Sequence, residues 1–387
     1  MSPPSPPPLF AITDTPSLTR GEIHDIVTIA LRNAEALVTY IDINRGPVEW
    51  TLDGNHTDYR IYKGEEPALY TRTPTSGLYC SSMEITGTLD EVVELFRTET
   101  TLHAHEHSNG VGRGFVDGVT LATLPVPVDS TMENIAIKWY LAKTAFQGLV
   151  RPRDACVVEC DHAFELNGKH GWVRAFKSIQ LISCPDLEAT MGYIRMEDLG
   201  SGHVFIETDR PRCLQAYYIS HMDLKGHTPE WLAKAAHKQI CKTNLLDVDR
   251  FLRENRLSEG HWLYPEQVVP LDDRKKCFRC RAPFRFLRSK ANCRKCGQVV
   301  CSHCSEAWHV QVEGVPRKMR ACYVCSLKLP EMTGNGIDGW SAEMLQATVH
   351  SFSCASTPLS PSKWDFIDPH ADNFGVFPKP PLPTTQC

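Results

Sequence analysis

From Glu22 onward, apolar residues return at intervals of three and four: Ile23, Ile26, Val27, Ala30, Ala34, Leu37, Val38 and Ile41. That period gathers them on one stripe of an amphipathic helix. Beyond it the period shortens. The segments 48–52, 59–63, 68–73 and 78–85 are short, alternating or aromatic-rich, and bounded by Gly, Pro and Asp turns, so they predict strands. Thr88-Leu89-Asp90-Glu91 has the form of a capping box and starts a short helix carrying Val92, Val93, Leu95 and Phe96. Strand-like segments resume at 114–124, 134–144, 155–164, 172–183, 202–207 and 213–222. A hairpin turn lies at Asn167-Gly168-Lys169-His170-Gly171. Thr228 reads as the N-cap of a long helix, with Pro229 in its first position and an end near Leu257. Its predicted buried face holds Trp231, Leu232, Ala235, Ala236, Ile240, Leu245, Val248, Phe251 and Leu252.

Strands and helices do not alternate, which argues against a parallel sheet. The order predicts an α+β fold in which a curved antiparallel sheet wraps a long C-terminal helix. Residues 1–18 are Pro-rich and expected to be disordered. Residues 259–271 form a connector, with Pro265 and Pro270 on either side of Val268-Val269. The stretch 330–387 is a Pro/Ser/Thr-rich tail, mostly disordered, with a short helix around 341–349. No apolar run approaches the ~20 residues that span a bilayer, and the N-terminus lacks the basic start and apolar core of a signal peptide. The expected setting is cytoplasmic.

Composition changes this picture at one place. Eight of the sixteen cysteines form four Cys-x-x-Cys pairs: Cys277/Cys280, Cys293/Cys296, Cys301/Cys304 and Cys322/Cys325. Two such pairs complete the four-sulfur shell of a structural zinc site, so four pairs supply two zinc ions with no open coordination position. Disulfides are the competing use of these cysteines. Pairs this regular are unusual as a disulfide framework, and the other eight cysteines are scattered as in a reducing cytosol. Between Arg274 and Lys328 the chain has fourteen Lys/Arg against two Glu, a side-chain charge of +12, while the remainder sums to −17. Eight metal-bound thiolates and two Zn²⁺ would lower the first figure to about +8. A basic module on an acidic body implies an anionic partner, membrane or nucleic acid.

The text around these pairs, Phe284, Cys293-Arg-Lys-Cys296-Gly-Gln-Val-Val-Cys301 and Arg320-Ala-Cys322, resembles the FYVE zinc finger. The resemblance implies interleaved sites: one zinc on Cys277, Cys280, Cys301 and Cys304, the other on Cys293, Cys296, Cys322 and Cys325. It also implies a membrane-entering loop tip, Phe286 and Leu287 between Arg285 and Arg288, and headgroup contacts from Lys290, Arg294 and Arg320. Phe284 is expected in the finger's core. A RING finger interleaves two zincs as well, but usually has a His among its middle ligands, and His303 is not in a ligand slot. Two departures concern phosphatidylinositol 3-phosphate. Ala291 and Asn292 stand where the family has adjacent histidines. The Trp-x-x-Asp element has no counterpart at its spacing, since Asp272 and Asp273 are present but the nearest Trp is Trp262.

Upstream, Asn134-Ile-Ala-Ile-Lys138-Trp139, Arg151-Pro-Arg153-Asp154, Trp172-Val-Arg-Ala-Phe-Lys-Ser178 and Tyr218-Ile-Ser-His221-Met-Asp223-Leu-Lys225-Gly226 resemble the START lipid-transfer family. That implies a helix-grip fold over residues 19–258 enclosing a hydrophobic lipid, with the FYVE-like module at 272–329. Arg151, Arg153 and Asp154 are expected to form an ion pair. His103, His105 and His107 would share one face of a strand but read as a solvated strand end, because no fourth metal ligand is identifiable. No phosphate loop, nucleophile elbow or zincin motif is present, so no enzyme is predicted. The leading expectation is a lipid-binding protein held peripherally on anionic, by resemblance endosomal, membranes. An adaptor whose finger binds a protein partner is the alternative. A nucleic-acid module is disfavoured, for want of Cys₂His₂ spacing and a basic recognition helix.

Overall fold

A computed structural model describes residues 17–65, 73–100, 115–125, 133–142, 150–285 and 289–327. Helix α1 (Arg20–Tyr40) opens with a capping box: the Thr19 hydroxyl accepts from Glu22 N–H, and the Glu22 carboxylate accepts from Thr19 N–H. Ile26, Val27, Ala30, Ala34, Leu37 and Val38 are buried along its stripe, as the period requires.

Strands β1 (Trp50–Asn55), β2 (Arg60–Gly64) and β3 (Ser76–Thr86) precede α2 (Leu89–Thr100). Glu91 Oε2 accepts from Thr88 N–H at 2.8 Å, closing the predicted box. Next come β4 (Phe115–Leu124), β5 (Asn134–Ala142), β6 (Arg153–Leu166) and β7 (Lys169–Ser178). Asn167 and Gly168, both at positive φ, make a two-residue turn between β6 and β7, so Lys169–Gly171 belong to the strand rather than to the turn. The short α3 (Glu188–Met191), β8 (Ile194–Arg195) and β9 (Glu197–Asp198) lead to β10 (Ser201–Glu207) and β11 (Cys213–Asp223).

These strands join one sheet in the order β1-β2-β3-β11-β10-β7-β6-β5-β4, antiparallel throughout that path. Helix α1 covers one face through Leu37, Ile137, Val158, Val173, Val204 and Ile219. Helix α2 and the 29-residue α4 (Glu230–Ser258) cover the other through Phe96, Trp172, Phe205, Leu245 and Val248. The fold is α+β, a curved antiparallel sheet closed by a long C-terminal helix.

Two expectations about α4 need correction. Pro229, not Thr228, is the N-cap, and the Thr228 hydroxyl accepts from Arg153 Nη2 at 2.5 Å instead. Trp231 is 70 % exposed, because the buried stripe runs through Leu232, Ala233, His237, Cys241, Leu245, Val248 and Leu252 and leaves Trp231 on the outer side. Pattern reading passed over His237 and Cys241 because neither is a strongly apolar residue.

After α4 the connector makes two single 3₁₀ turns, Pro265–Gln267 and Leu271–Asp273. The small domain consists of two hairpins and a closing turn of helix: β12 (Lys290–Asn292) with β13 (Val299–Cys301), β14 (Ser305–Val312) with β15 (Val315–Cys322), and α5 (Tyr323–Leu327). The segments 68–72, 101–114, 286–288 and 328–387 lie outside the described residues. With them go a predicted strand, the three alternate histidines and the tail.

Candidate functional site

In the small domain each early Cys-x-x-Cys pair sits on a tight turn. Arg281 N–H donates to Cys277 O at 3.0 Å and Gly297 N–H to Cys293 O at 2.8 Å, with both residues in the left-handed region (φ 59° and 73°). Chain reversal there points both thiols of a pair the same way. The hairpin registers then interleave the pairs. Lys290 lies opposite Cys301 and Ser305 opposite Cys322, and the backbone N–H groups of Cys301 and Cys322 reach Cys277 Sγ and Cys293 Sγ, so the third pair meets the first and the fourth meets the second.

The thiols of Cys277, Cys280, Cys301 and Cys304 all lie within 4.8 Å of one another, as do those of Cys293, Cys296, Cys322 and Cys325. Sulfurs at ~2.3 Å from a tetrahedral zinc stand about 3.8 Å apart, and Cys280 Sγ and Cys301 Sγ are separated by 3.8 Å. A disulfide would need ~2.05 Å. The donor set therefore fits zinc.

Backbone donors support the thiolate form. Cys301 N–H donates to Cys277 Sγ at 3.3 Å and Cys322 N–H to Cys293 Sγ at 3.2 Å. Burial raises the Cys277 thiol, but N–H groups of Cys280, Cys301 and Arg279 outweigh it and bring the value to about 7. Arg279 links the two groups. It lies between Cys277 and Cys280, yet its guanidinium donates to Cys322 Sγ at 3.4 Å and reaches Cys296 Sγ at 3.8 Å and Cys325 Sγ at 4.0 Å. Spacing gave no hint of this residue.

The residues expected to meet a headgroup are engaged within the chain. Lys290 Nζ donates to Leu271 O at 3.0 Å, Arg294 Nε to Leu263 O at 2.7 Å, and Arg320 Nη1 to Ser305 Oγ at 3.2 Å. Arg285 is exposed, Phe284 is half-buried under Lys290, and Phe286, Leu287 and Arg288 lie outside the described residues.

The large sheet carries a second constellation. Asn134, Asp161, Arg174, His203, Tyr218 and Ser81 stand in register across six adjacent strands, a polar row beneath α2 and α4. Arg174 Nη2 and Lys138 Nζ donate to the buried Glu159 carboxylate at 2.8 and 2.6 Å. His203 is buried among Phe96, Phe205 and Tyr218, and neither ring nitrogen has a hydrogen-bond partner among the described residues. Burial, and to a smaller extent Arg174, push its pKa down to about 3. The expected ion pair among Arg151, Arg153 and Asp154 does not form. Successive strand residues face opposite ways, so Asp154 pairs with Arg195 at 2.8 Å, Arg151 with Glu188 at 2.7 Å, and Arg153 donates to Leu224 O at 3.2 Å.

The START domain family model matches residues 127–257, and the FYVE zinc finger model matches residues 267–331. The chain carries a START domain followed by a FYVE zinc finger. The chain is similar to part of Lateral signaling target protein 2 of Caenorhabditis briggsae, 38 % identical over 58 residues, covering 15 % of this chain and 9 % of that protein. It is likewise similar to part of the 1-phosphatidylinositol 3-phosphate 5-kinase FAB1 of Saccharomyces cerevisiae, 35 % identical over 77 residues, 20 % of this chain and 3 % of that one. The chain thus spans under a tenth of the length of either relative. Among solved structures, human StAR-related lipid transfer protein 5 matches 59 % of this chain and 97 % of its own length, with a TM-score of 0.46 and 13 % identity. No helix among the described residues is long and apolar enough to cross a membrane.

START domain and FYVE finger touch directly. Arg250 of α4 pairs with Glu306 of β14 at 2.6 Å, and its guanidinium lies 5.2 Å from the Trp308 ring centroid. Glu254 Oε1 accepts from His309 N–H and Ser258 Oγ from Gln311 N–H, both at 2.9 Å. Leu257 and Trp262 pack in the same apolar cluster as the ligand cysteines. Sequence pattern could not have found the contacts of Arg250, Glu254 and Ser258 with β14, since they join residues more than fifty positions apart.

Proposed function

We propose that this protein binds a lipid in its START domain and is docked on anionic membranes of the cytoplasmic side, endosomal ones included, by its FYVE finger. The unit 19–258 would hold the hydrophobic ligand, 259–271 connect, and 272–329 dock, with 1–18 and 330–387 outside both folded units. Zinc would be held by Cys277, Cys280, Cys301 and Cys304 in one site and by Cys293, Cys296, Cys322 and Cys325 in the other. The metal supplies the fold of a module too small to be stable on apolar burial alone.

The clamp of Arg250 and Glu254 on β14 carries this reading. It fixes a basic module on the helix that closes the lipid-binding sheet, so the finger holds the START domain at the surface with which it exchanges lipid. Inside, the polar row offers His203 and the Arg174–Glu159 pair to the polar end of a ligand, while Phe96, Trp172 and Phe205 surround it with apolar surface. Exposed Arg285, with Phe286, Leu287 and Arg288 of the same loop, would contact the membrane, basic groups meeting phosphates and apolar groups entering the interface. No enzymatic role is proposed.

Native mass spectrometry of the full chain tests the first part. A co-purified lipid is the expected result. Lipid-free protein that also fails to take up lipid from vesicles would reject it, in favour of an adaptor that uses the START fold as a scaffold. Sedimentation with phosphatidylserine vesicles tests the second, and a Phe286→Ala/Leu287→Ala variant should bind more weakly.

A further inference from the structure

Two of the cysteines outside the finger meet in the START domain. Cys156 of β6 and Cys184 of the segment between β7 and β8 are both buried in the apolar cluster beneath α1. Their thiols are hydrogen-bonded to each other.

Arg195 sets this contact. β8 runs parallel to the start of β6 with Arg195 opposite Asp154, and the guanidinium donates to Asp154 Oδ2 from Nε at 3.0 Å and from Nη2 at 2.8 Å. Trp139, opposite Cys156 on β5, donates from Nε1 to the same oxygen at 2.8 Å and fixes that carboxylate. The guanidinium also donates to Cys184 O at 3.2 Å and to Pro185 O at 2.8 Å, and its Nη2 stands 3.9 Å from Cys184 Sγ. Asp154 and Cys156 are alternate residues of one strand, so they face the same way. A guanidinium anchored on the first therefore holds Cys184 over the second.

The two sulfurs are chemically unequal. The hydrogen bond with Cys156, and to a smaller extent Arg195, bring the Cys184 thiol below its ordinary range although burial opposes them. The same hydrogen bond, with burial, pushes the Cys156 thiol up. A sulfur suited to attack as thiolate, beside one that keeps its proton, is the arrangement that reacts stepwise with an oxidant. The cover over Cys184 is thin. Ile182 and Pro185 on either side of it are exposed, and the Arg195 side chain is 22 % exposed. A molecule as small as a peroxide needs only a local opening of this segment to reach the sulfur.

We propose that Cys156 and Cys184 are a peroxide-driven, thiol-reversible disulfide pair that fastens the segment 179–193 to the sheet. The Cys184 thiolate attacks one oxygen of hydrogen peroxide: an S–O bond forms, the O–O bond breaks, and the departing hydroxide takes a proton from solvent and leaves as water. The Cys156 sulfur then attacks Cys184: the S–S bond forms, the S–O bond breaks, and the hydroxyl leaves with the Cys156 proton as a second water. Two thiols are oxidised and one peroxide is reduced. The fastened segment runs on into β8 and β9, where β9 pairs with β11 and Met196 packs in one cluster with Ala233 of α4. Oxidation therefore stiffens the seat of the helix that closes the sheet.

The test uses the full, zinc-loaded chain, treated with hydrogen peroxide, alkylated and digested for mass spectrometry. The expected product is a pair of peptides joined through Cys156 and Cys184, separated by dithiothreitol and absent from Cys184→Ser. Hydrogen exchange gives a second readout that needs no variant. The N–H groups of Cys184 and Ile194, which donate to Leu181 O and Pro152 O, should exchange about tenfold more slowly in the oxidised chain and recover on reduction. Both thiols still free after a peroxide exposure that oxidises the urea-unfolded chain would overturn the proposal. So would Cys184 carried on to a sulfinic acid with Cys156 free, a bridge from Cys184 to Cys160 instead, or a bridge that leaves the exchange of both amides unchanged.

Discussion

The guanidinium of Arg250, on the helix that closes the START sheet, lies 2.6 Å from the Glu306 carboxylate on the first strand of the finger's long hairpin. Arg250 also bonds to Glu254, a nearly buried carboxylate that accepts from His309 N–H. Replacing Arg250 by alanine leaves Glu254 without its cation, a loss of about 1–3 kcal/mol, to which half-solvated Glu306 contributes little. Thermal unfolding of Arg250→Ala should separate into two transitions. Protease cleavage within 259–271 should become faster at temperatures where the unaltered chain resists.

Zinc stoichiometry offers a sharper check. The unaltered chain is expected to hold two zinc atoms, while Cys277→Ser and Cys322→Ser each hold one or lose the finger's fold. Arg279→Ala keeps all eight ligands but removes the donor shared by three sulfurs of the second site. Its zinc should leave that site about 10–100-fold more readily, as is typical when a ligand-orienting hydrogen bond is removed. Chelator competition followed by mass spectrometry would read both effects. Equal affinity in Arg279→Ala and the unaltered chain would contradict the assignment.

Acid stability should depend on His203. Its pKa in the folded chain is about 3, against an ordinary 6.5, so between those values the unfolded chain binds a proton that the folded chain does not. Stability contributed by this residue therefore falls as pH drops from 6.5 towards 3, at about 1.4 kcal/mol per pH unit. Asp198, raised to about 7 from 3.8 by burial, acts in the opposite sense below neutrality. His203→Phe should therefore lose less stability between pH 7.5 and pH 5 than the unaltered chain, by about 2 kcal/mol. Urea unfolding at the two pH values measures it.

Close approach predicts a stability effect at Gly202. A Cβ there would sit 2.2 Å from Arg174 O and 2.8 Å from Leu37 Cδ1, where α1 crosses β7 and β10. Backbone on one side cannot yield, so Gly202→Ala should cost about 2–3 kcal/mol. A melting temperature equal to that of the unaltered chain would contradict this packing.

Local chemistry was readable from the chain alone. The period of α1, the Thr88–Glu91 capping box, the Asn167-Gly168 turn and the four Cys-x-x-Cys pairs each depend on neighbours within a few residues, so their consequences are written in the order of the amino acids. The outward placement of Trp231 was not readable, because both faces of α4 carry apolar side chains and only the sheet decides which is covered. Nor was the pairing of Asp154 with Arg195, forty-one positions away. Sequence by itself determined that eight sulfurs gather beside an antiparallel α+β domain and that the module bearing them is basic. The tertiary structure decided where that charge is spent: Lys290, Asn292 and Arg294 face the connector and Arg250 faces the finger, because those partners meet only once α4 has laid the two domains side by side.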